Sequence, residues 1–376
     1  VKVALLSDCY LPRLGGIEVQ VHDLARHLRE AGHTVEAFTA TRSDTGARQV
    51  TEVIDGITVH RLAIPLPGDM PINPFAPPEL RRQLRSGGFD VAHVHMGVVS
   101  PFSMDSVRVL LGLGMPTAVT WHCVLAWVAP AVKVMGYVGR WAAKGAALSA
   151  VSSVAAEPLH EMVGPDVPIS VLPNGIDVAR WVAVDRHPHE FVRVVTAMRL
   201  AARKRPVQLL EVMQQARELA PDVDIRLEVL GEGQQRGRME RWVADHDAAS
   251  WVNLPGRLSR DDLHREYIDS DLYIAPADLE AFGIAALEAR TTGLPVIGPK
   301  HSGITEFVTD GVNGLLVDDD TQMSAAIARL GQDTALRQQM RRHNVTTPPA
   351  QAWPSVVGET IALYERATAQ RRHRGS

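Results

Sequence analysis

Short apolar runs alternate with amphipathic stretches along nearly the whole of this chain, and that alternation is the signature of parallel α/β architecture. In the first half the runs fall near residues 1–7, 34–39, 57–62, 90–95, 117–121 and 147–152. In the second half they fall near 192–198, 225–230, 251–254, 271–275, 295–297 and 313–317. After the first run, Ile17, Val21, Leu24 and Leu28 share one helical face, and Gly32 ends that helix. Two such series predict two doubly wound, Rossmann-like domains facing a central cleft, with ligands at the carboxyl ends of both sheets. The length of 376 residues agrees, being too great for one ordinary core. Pro173 to Pro188, rich in proline, histidine and charge, reads as the linker. The expected division is therefore 1–180, 181–340 and a helical tail 341–376, in which Trp353 to Ala369 forms an amphipathic helix.

Composition narrows the function. An apolar content of 45% is that of a globular protein. A net charge of −4 gives no global attraction to nucleic acid, so any anion is held by local groups. Cys9 and Cys123, the only two cysteines, form no metal cluster, and a reducing cytoplasm is the default compartment. The opening run Val1 to Asp8 reads as a buried strand, too short for a signal peptide's apolar region. No window is long and apolar enough to span a bilayer.

The stretch Glu280-Ala281-Phe282-Gly283-Ile284-Ala285-Ala286-Leu287-Glu288 carries the chemistry. A strand near Asp271 to Pro276 precedes it, and Gly283 to Thr292 reads as a helix. Gly283 lets a ligand approach the backbone, and free N–H groups at a helix start suit a phosphate. Glu280, outside the helix, and Glu288, a turn and a half inside, can each accept from the hydroxyls of an elongated polyol ligand. An ordinary strand-loop-helix with a solvated acid at either end fits this stretch equally well. Arg199 and Lys204, after strand 192–198, can grip a diphosphate, Arg as a planar fork and Lys as a point charge. The bland alternative, a solvated basic loop, is open there because Arg203 and Arg205 stand alongside. Gly15-Gly16 between the first strand and helix allows positive φ and exposes amides to an anion. It does not match G-x-G-x-x-G, which argues against a nicotinamide or flavin enzyme. His122 and His95 end two strands and point to one cleft edge. Asp318-Asp319-Asp320 precedes a helix and reads as a cap.

Taken in order, Gly15-Gly16, Thr120-Trp121-His122, Leu172-Pro173-Asn174-Gly175-Ile176-Asp177, Arg199 with Lys204, Glu280 to Glu288, Glu306 and Asp310-Gly311-Val312-Asn313-Gly314 resemble the retaining glycosyltransferases of family 4. The resemblance covers residues 1 to about 330 and implies the GT-B fold, with the C-terminal helix crossing back to the first domain. It implies a nucleotide-diphospho-sugar donor, GDP- or UDP-linked, a hydroxyl acceptor, no cofactor and no metal ligands. His122, Glu280, Arg199 and Lys204 would be catalytic. Arg199 and Lys204 would neutralise the diphosphate, Glu280 would hold the sugar, and His122 would lie beside it. Gly15, Gly16, Asn174, Phe282, Gly283, Ile284, Glu288 and Glu306 would bind substrate, Glu288 at the ribose. Met198, Arg205-Pro206 and His301-Ser302 depart from the family's usual glycines at those places.

Ile64-Pro65-Leu66 to Asn73-Pro74-Phe75 and Arg81-Arg82-Arg85 are similar to actinobacterial phosphatidylinositol mannosyltransferases. The acceptor would then be a lipid, inositol-type or glycan hydroxyl. Trp127 to Lys144 offers a basic helix, with Lys133, Arg140 and Lys144 on one face, for peripheral contact with an anionic membrane. A packed helix with solvated cations is the competing reading. Two other functions stay open on the residues: a nucleotide-sugar epimerase of the same fold, and a non-catalytic nucleotide-sugar-binding module.

Overall fold

The computed structural model describes residues 1–13, 15–43, 49–64, 66, 70–125, 129, 135–184 and 189–372. The chain forms two compact units. The first comprises Val1–Gly175 together with the chain from Trp353 onward, and the second Ile176–Ala352. Residues 341–352 thus pack with the second unit rather than with the tail.

The first unit holds one eight-stranded sheet in the order β3-β4-β2-β1-β5-β6-β7-β8. Its strands are β1 (Lys2–Ser7), β2 (Thr34–Thr39), β3 (Gln49–Ile54), β4 (Ile57–Leu62), β5 (Val91–Met96), β6 (Thr117–Trp121), β7 (Ala147–Ala150) and β8 (Ile169–Val171). All pairings are parallel except the β3–β4 hairpin. The hairpin and β8 are absent from the sequence expectation. The Asp55-Gly56 turn, both residues at positive φ, is the local signal for the hairpin. Every residue of β5 is buried, as expected of a parallel strand covered on both faces.

The helix Trp353–Arg372 completes this unit. Trp353, Val356, Leu363, Tyr364 and Ala367 join one core with Val3, Leu5, Leu24 and Leu28. Trp353 also stacks on His27 at 4.8 Å. Gly175 is glycine because Trp353 leaves no room, a Cβ there falling 2.4 Å from the indole. The first helix, Gly16–Glu30, ends as its sequence implies, with Gly32 left-handed at φ +89.

The second unit has a six-stranded, wholly parallel sheet, β11-β10-β9-β12-β13-β14. These strands are β9 (Val192–Ala197), β10 (Ile225–Leu230), β11 (Val252–Gly256), β12 (Leu272–Ile274), β13 (Val296–Pro299) and β14 (Gly314–Val317). All six fall on the expected runs. The core gathers Val194, Leu209, Ile225, Leu227, Ile274, Ile297 and Ile327 around the sheet. From β9 the chain first adds strands on one side and then, at β12, on the other. That reversal opens the loops after β9 and β12 side by side, the place where ligands bind in open α/β sheets.

Candidate active site

In the second unit the structure brings together Lys204 and Glu280, from the two loops flanking the reversal. The Lys204 ammonium donates to Glu280 Oε2. An ammonium has three donors, so this bond leaves two for another acceptor. Lys204 ends a 3-10 turn, Ala202–Lys204, and Arg205 behind it takes φ +56 before the helix Pro206–Leu219. Arg205 donates to the Pro276 carbonyl at 3.1 Å, to Asp278 at 2.8 Å and to Asp320 at 2.5 Å. Burial pulls its guanidinium down, but the partners Asp320 and Asp278 together raise it above its ordinary value.

Arg199 is exposed just after β9, and its side chain makes no hydrogen bond or ion pair with the described residues. Its loop is shaped by two glycines that the sequence reading missed. Cβ atoms at Gly231 and Gly233 would fall 1.9 Å from the Met198 carbonyl and 2.5 Å from that of Leu200. A Gly-x-Gly directly after a strand was the available signal.

The expected helix at 283–292 spans Ile284–Thr291, with Gly283 left-handed at φ +88 as its cap. The amides of its first turn have no acceptor within the helix, as at any helix start. Gly303 packs beneath this loop, its amide donating to the Glu280 carbonyl at 2.8 Å. Phe282 turns its ring inward against Phe307, so only its backbone is available to a ligand. Glu288 is buried, and its charge helps raise the hydroxyls of Tyr267 and Tyr273, in which desolvation is the larger cause. Glu306 ends the 3-10 turn Gly303–Glu306, its carbonyl accepting from Gln351. Asp310 to Gly314 form a turn: Gly311 is left-handed and Asn313 bonds Thr309 and Phe307. Of the three aspartates at 318–320, Asp319 caps the following helix and Asp318 pairs with Lys300. Among the described residues no three acids, histidines or cysteines assemble as metal ligands.

The first unit holds a second cluster, built from imidazoles. His122 Nε2 lies 2.9 Å from His95 Nδ1, and the His95 ring lies against that of His93, centroids 4.1 Å apart and planes tilted by 35°. His93 in turn bonds Thr120 at 2.6 Å and Tyr364 at 3.1 Å. Desolvation holds all three imidazoles neutral. It lowers His93 to about 3 and His122 to about 4, the latter against a hydrogen bond with Asn174. His95 is held well below its ordinary value by burial and its two neighbours. The cavity beside them, lined by Gln20, Asn174 and Trp353 among others, measures about 20 Å³, room for one water molecule rather than a sugar.

At Gly15-Gly16 the structure corrects the expectation. Gly15 is extended at φ −162, which any residue adopts, and neither glycine is left-handed. A Cβ on Gly15 would stand 2.5 Å from the Glu18 carboxylate, the end of a flexible side chain that lies over this turn. The helix start is thus already faced by its own acid, which Arg13 approaches at 3.4 Å. Leu14 lies outside the described residues, as do Trp127, Lys133 and Val134 of the expected membrane helix. The described part of that helix, Tyr137–Ala143, buries Val138 and Trp141 and exposes Arg140, with Lys144 exposed at its end. No described helix is long and apolar enough to cross a membrane.

Two doubly wound units in one chain are the architecture of the GT-B class. Solved structures agree on the fold. The HepE protein of Anabaena in complex with UDP superimposes with a TM-score of 0.75 at 14% identity, over 97% of this chain and all of that one. Sucrose-phosphate synthase from Thermosynechococcus elongatus gives 0.74 at 19% identity, over 98% and 99%. Residues 178–345 match the family "Glycosyl transferases group 1", and residues 14–180 match "Glycosyltransferase Family 4". The chain thus carries both glycosyltransferase domains, one in each half. It is 28% identical to the D-inositol 3-phosphate glycosyltransferase of Pseudarthrobacter chlorophenolicus, over 97% of this chain and 95% of that protein. It is 25% identical to the GDP-mannose-dependent alpha-mannosyltransferase of Mycolicibacterium smegmatis over the full length of both.

Proposed function

We propose that this glycosyltransferase moves a hexose, with retention and without a metal, from a GDP- or UDP-linked sugar to a hydroxyl of a lipid, inositol-type or glycan acceptor. The observation that carries the donor reading is the Lys204–Glu280 pair at the strand reversal, with the Arg199 guanidinium exposed on the same loop. Arg199 and the remaining Lys204 donors bind the diphosphate, assisted by the Gly283 and Ile284 amides. Glu280 accepts from hydroxyls of the sugar, and Glu288 serves the ribose. In the reaction the bond from the anomeric carbon to the diphosphate oxygen breaks, and its electron pair leaves with the nucleoside diphosphate. The acceptor oxygen bonds that carbon on the same face and gives its proton to the departing diphosphate. Cationic groups that bind the growing negative charge more tightly than the ground state lower the barrier. Glu306 contributes to donor binding from the same unit as Lys204 and Glu280. The names of the two relatives quoted above support a mannose-type or inositol-directed reaction. We place the enzyme in the cytoplasm, with peripheral membrane contact where the acceptor is a lipid.

A thermal-shift panel of nucleotide sugars tests the donor. A ligand at 100 times its dissociation constant adds about 2.7 kcal/mol of stability. Transfer to inositol phosphate, glycan and lipid acceptors, followed with the stabilising donor in excess chelator, tests the rest. Nucleoside diphosphate released with no acceptor present would mark an epimerase, and binding with neither transfer nor hydrolysis a non-catalytic module. Activity lost in chelator and restored by magnesium would remove the metal-independent reading.

A further inference from the structure

Among the described residues three that are not glycine take positive φ: Asp55, Arg205 and Asp247. Aspartate is among the residues enriched in that region, whereas a long side chain there is uncommon. Arg205 is doubly constrained, because Pro206 follows it and a proline disfavours helical conformations in the residue before. Glycine would fill the position without strain. Arginine does something there that glycine cannot. From the loop after β9 its guanidinium reaches the Pro276 carbonyl and Asp278 in the loop after β12, and Asp320 after β14. Its chain neighbour Lys204 and the Asp278 neighbour Glu280 are the two groups that meet at the strand reversal.

We infer that Arg205 is the positioning residue of the donor site, a tie that fixes the loops after β9, β12 and β14 so that Lys204 and Glu280 meet in one geometry. The inference rests on the donor reading above for its catalytic consequence, but not for its structural one. The planar fork suits this work, since it can bond a carbonyl and two carboxylates at once where an ammonium acts as a point charge.

The test compares the native enzyme with Arg205→Gly, Arg205→Lys, Asp320→Asn and the double variant Arg205→Gly with Asp320→Asn. Glycine keeps the backbone conformation and removes the fork, so Arg205→Gly folds with a melting temperature within a few degrees of native. Amide hydrogen exchange without any ligand then accelerates about tenfold or more in residues 199–205 and 276–283 and stays unchanged in the first unit. With the best donor, kcat falls about tenfold and KM changes less, because misalignment weakens transition-state contacts more than ground-state binding. Arg205→Lys recovers part of the loss. Asp320→Asn shows the same defect, and the double variant is no worse than Arg205→Gly, as coupled groups require. Native exchange and native kcat in Arg205→Gly would overturn the assignment, as would a lowered melting temperature with kcat intact. If the native chain used no nucleotide sugar while exchange still accelerated in Arg205→Gly, the donor reading would fall and the tie would stand.

Discussion

At the scale of single residues, the acids and cations of the second unit divide by environment. Lys204→Ala and Arg199→Ala each remove charge from the diphosphate, and each should cut transfer severely, in kcat as well as KM, with the fold intact. Turnover near the native value in both would sink the assignment. Glu280 pairs with Lys204 at the loop edge, whereas Glu288 is buried on its helix. Glu280→Gln should therefore damage catalysis more than nucleotide binding, and Glu288→Gln the reverse. Calorimetry with the bare nucleoside diphosphate decides it, equal affinity losses erasing the distinction. The imidazoles of the first unit govern a different property. His93 and His122 are lowered from 6.5 to about 3 and about 4, and His95 shifts the same way. Below about pH 6.5 the unfolded chain binds protons that the native chain refuses, so stability is fully present above that pH and lost as pH falls toward about 4. Asp8, raised from 3.8 to about 6 by burial, works in the opposite sense over part of that window, one carboxyl against three imidazoles. The melting temperature should accordingly fall between about pH 7 and pH 4.5 under low-salt conditions. A flat profile would contradict neutral native imidazoles.

At the scale of elements, strands are legible where burial on both faces makes a continuous apolar run, as in β12 and β13, whereas the edge strand β11 falls on its expected run although Asn253 and Pro255 are exposed. β3 escaped because its residues Gln49-Val50-Thr51-Glu52-Val53-Ile54 alternate at a sheet edge and spell no apolar run. The positions of Glu280 and the helix after it were legible from local pattern alone. The pairing of His93 with Tyr364 joins residues 271 apart in sequence, and nothing local announces it. Arg205 was read as part of a solvated basic loop because its three acceptors lie 71 to 115 residues away. The stretch Trp127 to Lys144 reads in sequence as a membrane surface or a packed helix, and in its described helix, Tyr137–Ala143, Val138 and Trp141 are buried in their own unit. Arg140 and Lys144 are its exposed cations among the described residues. Charge reversal at Arg140 and Lys144 should thus abolish any sedimentation with anionic vesicles while sparing transfer to a soluble acceptor. Unchanged sedimentation would place the membrane contact elsewhere. The helix Trp353–Arg372 matters more for stability. Trp353→Ala should cost the first unit about 3–5 kcal/mol through the cavity left against His27 and Gly175, read in denaturant unfolding.

At the scale of the whole molecule, two separate cores predict two unfolding events. In calorimetry a nucleoside diphosphate should raise the transition of the second unit, the one containing Arg199, Lys204 and Glu288, by the linkage expected of a ligand bound there. A single transition that shifts as one, or a shift confined to the first unit, would refute the assignment of the donor to the second sheet. The two units also differ in how the chain is allotted to them, for the second is continuous and the first is not. Trp353 and the helix after it supply apolar side chains that the first core shares with Val3 and Leu24. A ribosome adding about 5–20 residues per second needs roughly 10–35 s to pass residues 176–352 before it makes that helix. The amino-terminal half of the nascent chain spends that interval with one apolar flank uncovered, and the carboxyl-terminal half is the first that can finish folding. A newly made chain is therefore most exposed to chaperones and proteases in its first unit.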